Sequence, residues 1–175
     1  MSYSILVRRI DMEKQKENKK KDLISYIIII LAVVTIRLFI ITPVRVQGTS
    51  MDTTLKQGEI LLLEKFDKNY KRFDIVVINT KNERIIKRII GMPGESIKII
   101  DGIIYINGEK IEDKYASSQT KDFSLEETIP ENTYFVLGDN RIVSNDSRYL
   151  GPIKKENIQG KAIYRIWPFK KFGEI

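Results

Sequence analysis

Ser96-Ile-Lys-Ile-Ile-Asp-Gly-Ile-Ile-Tyr-Ile-Asn-Gly108 is the stretch from which the fold class can be read. Asp101-Gly102 and Asn107-Gly108 each separate short apolar, β-branched runs. Such dipeptides suit two-residue hairpin turns, whose central residues need positive φ. The runs on either side should therefore fold back on one another as antiparallel strands. Working outward, similar runs occur upstream at Ile60–Phe66, Phe73–Ile78 and Arg84–Ile90, and downstream at Tyr134–Leu137 and Ala162–Trp167. Several short strands within about 130 residues predict a mainly β domain over residues 43–175, a compact antiparallel β-barrel or coiled sheet. The polar stretch Asp113–Thr128 reads as a surface excursion, too poor in apolar residues for a core strand.

Ahead of this domain lies Leu23–Ile41, LISYIIIILAVVTIRLFII, interrupted by a single charge at Arg37. About 20 apolar residues cross a bilayer core as a helix, whereas strands rarely exceed about 10. The stretch therefore predicts a transmembrane helix over 23–42, with the Arg37 side chain reaching toward the interface. Residues 1–22 carry seven Lys/Arg: Arg8, Arg9, Lys14, Lys16, Lys19, Lys20 and Lys21. Positive flanks stay cytoplasmic, so residues 1–22 are expected inside and 43–175 outside the cell membrane, after a single pass. A cleaved leader would have a shorter apolar core followed by small residues, which Ile-Ile-Thr-Pro-Val does not offer.

The formal net charge is +7, with much of the excess beside the hydrophobic run, so anionic lipid rather than nucleic acid is the expected partner. The chain contains neither Cys nor His. Disulfides, zinc–thiolate sites, thiol nucleophiles and every His-dependent triad are excluded. A base would have to be Lys, Asp, Glu, Tyr or a terminal amine. No metal or nucleotide motif occurs, so no cofactor is expected.

Two positions suit such chemistry. Ser50, in Gln47-Gly-Thr-Ser-Met51, lies within about 30 Å of chain from Ile41, hence near the outer membrane face. Glycine before it allows close backbone approach, and neighbouring amides suit an oxyanion; a plain turn serine is the alternative. Lys87, in Arg84-Ile-Ile-Lys-Arg-Ile-Ile-Gly91, would share a strand face with Ile85 and Ile89. Burial there disfavours the ammonium. A free lysine is neutral only about once in roughly 2,500 molecules at pH 7, so a working base needs about 4–5 kcal/mol of help. The alternative is an edge-strand lysine that discourages aggregation, a role Arg88 also fits.

Four segments, in order, resemble the conserved boxes of bacterial type I signal peptidases. They are Gly48-Thr-Ser-Met-Asp-Thr-Thr-Leu55, Arg72-Phe-Asp-Ile-Val-Val77, Lys87-Arg-Ile-Ile-Gly-Met-Pro-Gly-Glu95, and Gly138-Asp-Asn-Arg141 followed by Ser144, Asp146-Ser-Arg148 and Gly151. The resemblance spans essentially the whole chain, and the last box is its most specific part. It implies a cofactor-free serine endopeptidase in which Ser50 attacks the scissile carbonyl and Lys87 takes its proton. It further implies that Ser144 hydrogen-bonds and orients the lysine, and that Asp74, Arg88, Asp146 and Arg148 form a supporting ion-pair framework. The implied substrates are secretory preproteins, cut after small residues in the Ala-X-Ala pattern; the export machinery is an implied partner.

The chain departs from the family pattern at Thr53, where a proline is usual, which predicts a looser turn after Ser50. Gly48 offers no hydroxyl to an oxyanion, and this, with the short gap between the last two boxes, resembles the Gram-positive branch. A catalytically impaired, membrane-anchored relative that binds precursors is the rival reading. Self-cleaving repressors share a Ser-Lys pair but carry a DNA-binding helix-turn-helix. The C-terminal Tyr164–Phe172 segment mixes aromatics with cations, which suits either a lipid headgroup zone or aromatic core packing.

Overall fold

A computed structural model of the chain describes residues 3–39, 41–81 and 83–175, and resolves them into two units, 1–40 and 41–175. The first is one helix, α1 (Tyr3–Phe39), about 55 Å long at 1.5 Å per residue. The apolar side chains Leu23, Ile24, Ile27–Leu31, Val33, Val34 and Ile36 are all exposed along it. The expected transmembrane helix over 23–42 is not supported as drawn, in two respects. Among the described residues no helix is long and apolar enough to cross a membrane; the side chains at 38–40, the end of the expected span, lie outside those described. The helix also stops sooner than residue 42, because Ile41 and Thr42 already belong to a strand. The physical reason is Pro43, which disfavours helical backbone in the residue before it and brings no N–H.

The second unit is antiparallel β throughout. In chain order its strands are β1 (Ile41–Arg45), β2 (Ile60–Glu64), β3 (Ile75–Asn79), β4 (Arg84–Gly91), β5 (Ile97–Ile100), β6 (Ile103–Ile106), β7 (Glu109–Lys110), β8 (Phe123–Ser124), β9 (Thr133–Leu137), β10 (Ile153–Lys154), β11 (Ile158–Trp167) and β12 (Gly173–Glu174). A four-residue helix, α2 (Ser147–Leu150), lies between β9 and β10. The large sheet runs β1-β2-β11-β3-β4-β9-β10, with β12 also on β11; the small one runs β7-β6-β5-β8. Of the two expected architectures the coiled sheet is the observed one: β1 and β10 end the strand order and no described pairing closes a barrel. Register shifts at three places along β11 coil it so that one strand serves both β2 and β3. The crossing is close at Gly160, where a Cβ would collide with the Glu64 carbonyl oxygen.

Both hairpin turns form as the dipeptides require, with Asp101, Gly102, Asn107 and Gly108 all at φ between 52° and 83°. The excursion 113–128 is less peripheral than its composition suggested. Phe123–Ser124 pairs with β5, Phe123 and Leu125 pack on the Ile97–Ile104–Phe135 core, and Thr120 is buried. Two further cores flank β4 on opposite faces. Ile86 packs with Val44, Val46 and Leu63, while Ile85 and Ile89 pack with Ile78, Val136 and Ile153. β4 is thus fixed on both sides, which positions everything it carries.

Candidate active site

Lys87 sits mid-way along β4, opposite Val76 of β3. Only 3 % of it is exposed, and its Nζ lies 2.7 Å from Ser50 Oγ in a hydrogen bond. When charged, the ammonium donates to the hydroxyl; when neutral, the amine can accept the hydroxyl proton. Burial lowers the Lys87 pKa from 10.5 to about 8, opposed by the negative charges of Asp146, Glu83 and Asp139. An amine at about 8 is neutral in roughly one molecule in ten at pH 7, a gain of more than a hundredfold over a free lysine.

Ser50 is delivered by a turn that follows β1. Gly48 takes φ of +78°, a conformation that favours glycine. Asp52 N donates to Thr49 O at 3.1 Å and Leu55 N to Met51 O at 2.9 Å, so 49–55 is a tight helical turn with Leu55 and Met51 buried beneath it. An Asp52–Lys56 ion pair spans the same turn. These contacts close the turn around Thr53, the position where the resemblance leads one to expect proline.

Ser144 comes near from the loop after β9. Its Oγ is buried without a hydrogen-bond partner, so the bond to Lys87 implied by resemblance is not formed here. Ser144 and the loop carrying Ser50 meet at Gly138. A Cβ there would collide with both Ser144 Oγ and the Ser50 carbonyl oxygen, and that same carbonyl accepts from Asn140 N at 3.0 Å. Gly138→Ala is expected to lower kcat by at least about 100-fold with a smaller change in KM, since a displacement near 1 Å is enough to misalign a reacting pair. Steady-state kinetics beside a thermal melt would check it.

The ion pairs behind the site differ from the expected framework. Arg88 pairs with Asp139, at 2.7 and 2.9 Å, both groups buried, and its Nη1 donates to Phe73 O. Thr54 Oγ1 donates to Asp139 at 2.5 Å, and Arg165 Nη2 donates to Thr54 O at 2.7 Å, tying the turn that carries Ser50 to β4 and β11. Arg165 in turn ion-pairs with buried Glu59 at 2.9 Å. Asp146 caps α2, accepts from Gly138 N at 3.0 Å and holds Arg148, which donates to Arg141 O at 2.7 Å. Asp74 stands apart from these: it accepts from Lys71 N and lies 3.8 Å from Lys161. Asp139, Thr54, Arg165 and Arg141 were not among the expected framework residues. Asp139 and Arg141 lie inside the last box, so their charges were visible; which charge meets which was not.

Arg141 fastens the excursion. It donates to Gly138 O and to Thr120 Oγ1 and is paired with Asp113, while Ser117 N donates to Asp139 O at 2.9 Å and the Tyr115 ring lies 3.7 Å from the Arg88 guanidinium. Residues 113–120 are thus strapped across the buried Arg88–Asp139 pair.

Ser50 and Lys87 open into a cleft of about 360 Å³ that also takes in Gln47, Ile85, Ile86, Val143 and Asn145. A second hollow, of about 320 Å³, continues from it between Pro43–Arg45 of β1 and Arg84 and Ile86 of β4. Among the described residues β4 pairs with β9 only from Arg88 onward, and β1 pairs only with β2. Both strands therefore present backbone edge along this groove. Among the described residues no group of acidic side chains is placed to hold a metal ion.

The family model described as "Signal peptidase, peptidase S26" matches residues 20–167. A signal peptidase I of Bacillus caldolyticus is 38 % identical over 180 residues, covering 93 % of this chain and 98 % of its own. A signal peptidase IB of Staphylococcus aureus strain N315 is 35 % identical over 87 % of this chain and 94 % of its own. A crystal structure of a signal peptidase I from Enterococcus faecalis V583, 38 % identical, covers 53 % of this chain and 96 % of its own at a TM-score of 0.49. The chain thus belongs to the signal peptidase family, peptidase S26, and is a peptide-bond hydrolase.

Proposed function

We propose that the chain is a membrane-bound serine endopeptidase that removes signal peptides from secretory preproteins with a Ser50–Lys87 dyad. The observation that carries this reading is the 2.7 Å contact between Ser50 Oγ and a buried lysine whose pKa has fallen to about 8. In the neutral state Lys87 takes the hydroxyl proton as Ser50 Oγ attacks the scissile carbonyl, then gives it to the leaving amine. Water, activated by the same amine, releases the acyl chain. Ser144, buried and lacking a partner, is the group we assign to orient Lys87 Nζ during this exchange.

An extended substrate is expected to lie between the β1 and β4 edges as an added strand, its main chain paired and alternate side chains pointing into the groove. Val44 and Ile86 supply apolar wall to these hollows beside the Gln47–Ser50 segment, which suits Ala-sized residues before the cut. Incubating detergent-solubilised protein with a preprotein whose signal ends in Ala-X-Ala tests the reading. Cleavage after the final small residue is expected. An inert wild type would move the precursor-binding relative to the front.

The pH dependence follows from Lys87. Below about 8 the amine is protonated and cannot act as base, so kcat/KM should rise about tenfold per pH unit and level off above it. A profile flat between pH 6 and 9 would remove Lys87 as the base.

We assign α1 the role of the anchor, supported by its exposed apolar side chains from Leu23 to Ile36 and the cationic stretch before them. The protein is then single-pass, with its N-terminus cytoplasmic. Alkaline carbonate washing should leave the full chain in the membrane pellet and release a 41–175 fragment. At the other end, Trp167, Phe169 and Phe172 are exposed beside Lys170 and Lys171, which favours lipid headgroups over core packing for that segment.

A further inference from the structure

Outside α1 and the C-terminal aromatics, exposed large apolar side chains concentrate on one short segment: Ile142, Val143, Tyr149 and Leu150. This segment borders the active-site cleft, since Val143 lines it with Ser50 and Lys87. Beyond it lies another pocket, of about 360 Å³, with Ile78, Ile85, Leu150 and Ile153 as its apolar wall and Asn79, Thr80, Lys81 and Asn157 among its polar lining. The two share Glu83, Ile85 and Asn145 and so form one continuous concavity. The mechanism does not use this second pocket, and a hollow with an apolar wall opening onto a cleft is a site for an apolar group whose polar backbone the remaining lining can meet.

Strand geometry says which part of a substrate reaches it. Successive residues of β4 face opposite sides, so Lys87 and Ile85 share one face and Ile86 takes the other. The separate cores that receive Ile85 and Ile86 bear this out. The leaving nitrogen must sit beside Lys87 Nζ to receive its proton, hence on the Ile85 face. The acyl side of the substrate then follows the Ile86 and Val44 face.

We infer that the Ile78–Ile85–Leu150–Ile153 pocket binds an apolar side chain of the substrate within the first three residues after the scissile bond. The enzyme thereby reads the mature N-terminus as well as the leader. This rests on the peptidase reading above and adds a specificity determinant on the amine side of the cut.

The test uses the full-length protein in detergent and peptides with a common Ala-X-Ala leader end, carrying Leu or Ser at each of the first three positions after it. At one of those positions the Leu peptide should exceed the Ser peptide in kcat/KM by about 10-fold, as apolar pockets discriminate. Leu150→Asn, at a half-exposed position on α2, should bring that ratio close to one. Leu150→Trp, filling the pocket, should invert it, and Tyr149→Ser, beside the pocket but not lining it, should keep it. A wild-type ratio near one at all three positions overturns the pocket assignment while leaving the peptidase reading standing. So does a ratio that survives both Leu150 variants. Failure to cleave any peptide overturns the peptidase reading and the pocket with it.

Discussion

Ser50→Ala and Lys87→Ala are each expected to reduce precursor cleavage by at least about 10⁴-fold, and the double variant to be no worse than either. In the proposed mechanism the two side chains perform one proton transfer, so removing either removes the whole step. Lys87→Arg sharpens the test, because a guanidinium keeps the charge but does not deprotonate in the working range. It should be as inactive as Lys87→Ala. Stability should move the other way in Lys87→Met. Depression from 10.5 to about 8 means that the folded protein disfavours the protonated amine, a penalty on the order of 3 kcal/mol at pH 7. That penalty is fully present below about pH 8 and is relieved as pH rises from there toward 10.5. Lys87→Met should therefore melt higher than wild type at pH 7, by less at pH 10, while cleaving nothing. A melting temperature equal to or below wild type at pH 7 would show that Lys87 is not held in a disfavoured state.

That coupling of instability to chemistry was partly legible in the sequence. The Ile-Ile-Lys-Arg-Ile-Ile pattern shows a lysine among aliphatic side chains of one strand, and the lack of His confines a base to Lys, Asp, Glu, Tyr or a terminal amine. What brings Ser50 within 2.7 Å is not local: it depends on β11 carrying β2 on one side and β3 on the other through its register shifts. Nothing in a strand's own residues announces a bulge that serves two partners. The hairpins at Asp101 and Asn107 were legible because their turn chemistry is contained in two residues. The start of β1 was obscured by Ile40-Ile41, whose side chains suit a helix in lipid and a strand equally, so only Pro43 marked the change. The strap at 113–120 was missed for a related reason. Its composition is polar, and its burial comes from Arg141, Arg88 and Asp139, which lie far away in the chain.

Arg88→Met is expected to destabilise the domain strongly. It removes the guanidinium from Asp139 and leaves a carboxylate with no exposed surface whose remaining side-chain hydrogen bond is from the Thr54 hydroxyl. Stranding one member of a buried pair costs about 3–5 kcal/mol. For a domain of this size that corresponds to a melting temperature lower by on the order of 10–20 °C. Arg88→Met/Asp139→Leu removes the stranded charge and should regain most of that loss, as apolar replacements of buried pairs often do. Activity should not return with stability. Arg88 adjoins Lys87 and Asp139 adjoins Gly138, and Thr54 connects the pair to the nucleophile turn, so the network fixes where the two reacting atoms meet. Tyr115→Ala, which strips the ring from above Arg88 without touching the pair, should fall between the two: a loss of about 1–2 kcal/mol with the acid limb of the pH profile unmoved. Thermal unfolding and cleavage measured on the same preparations separate these outcomes. A stable, inactive double variant would show that the buried ion pair is there for position rather than for stability; a stable, active one would reduce it to a structural detail replaceable by packing.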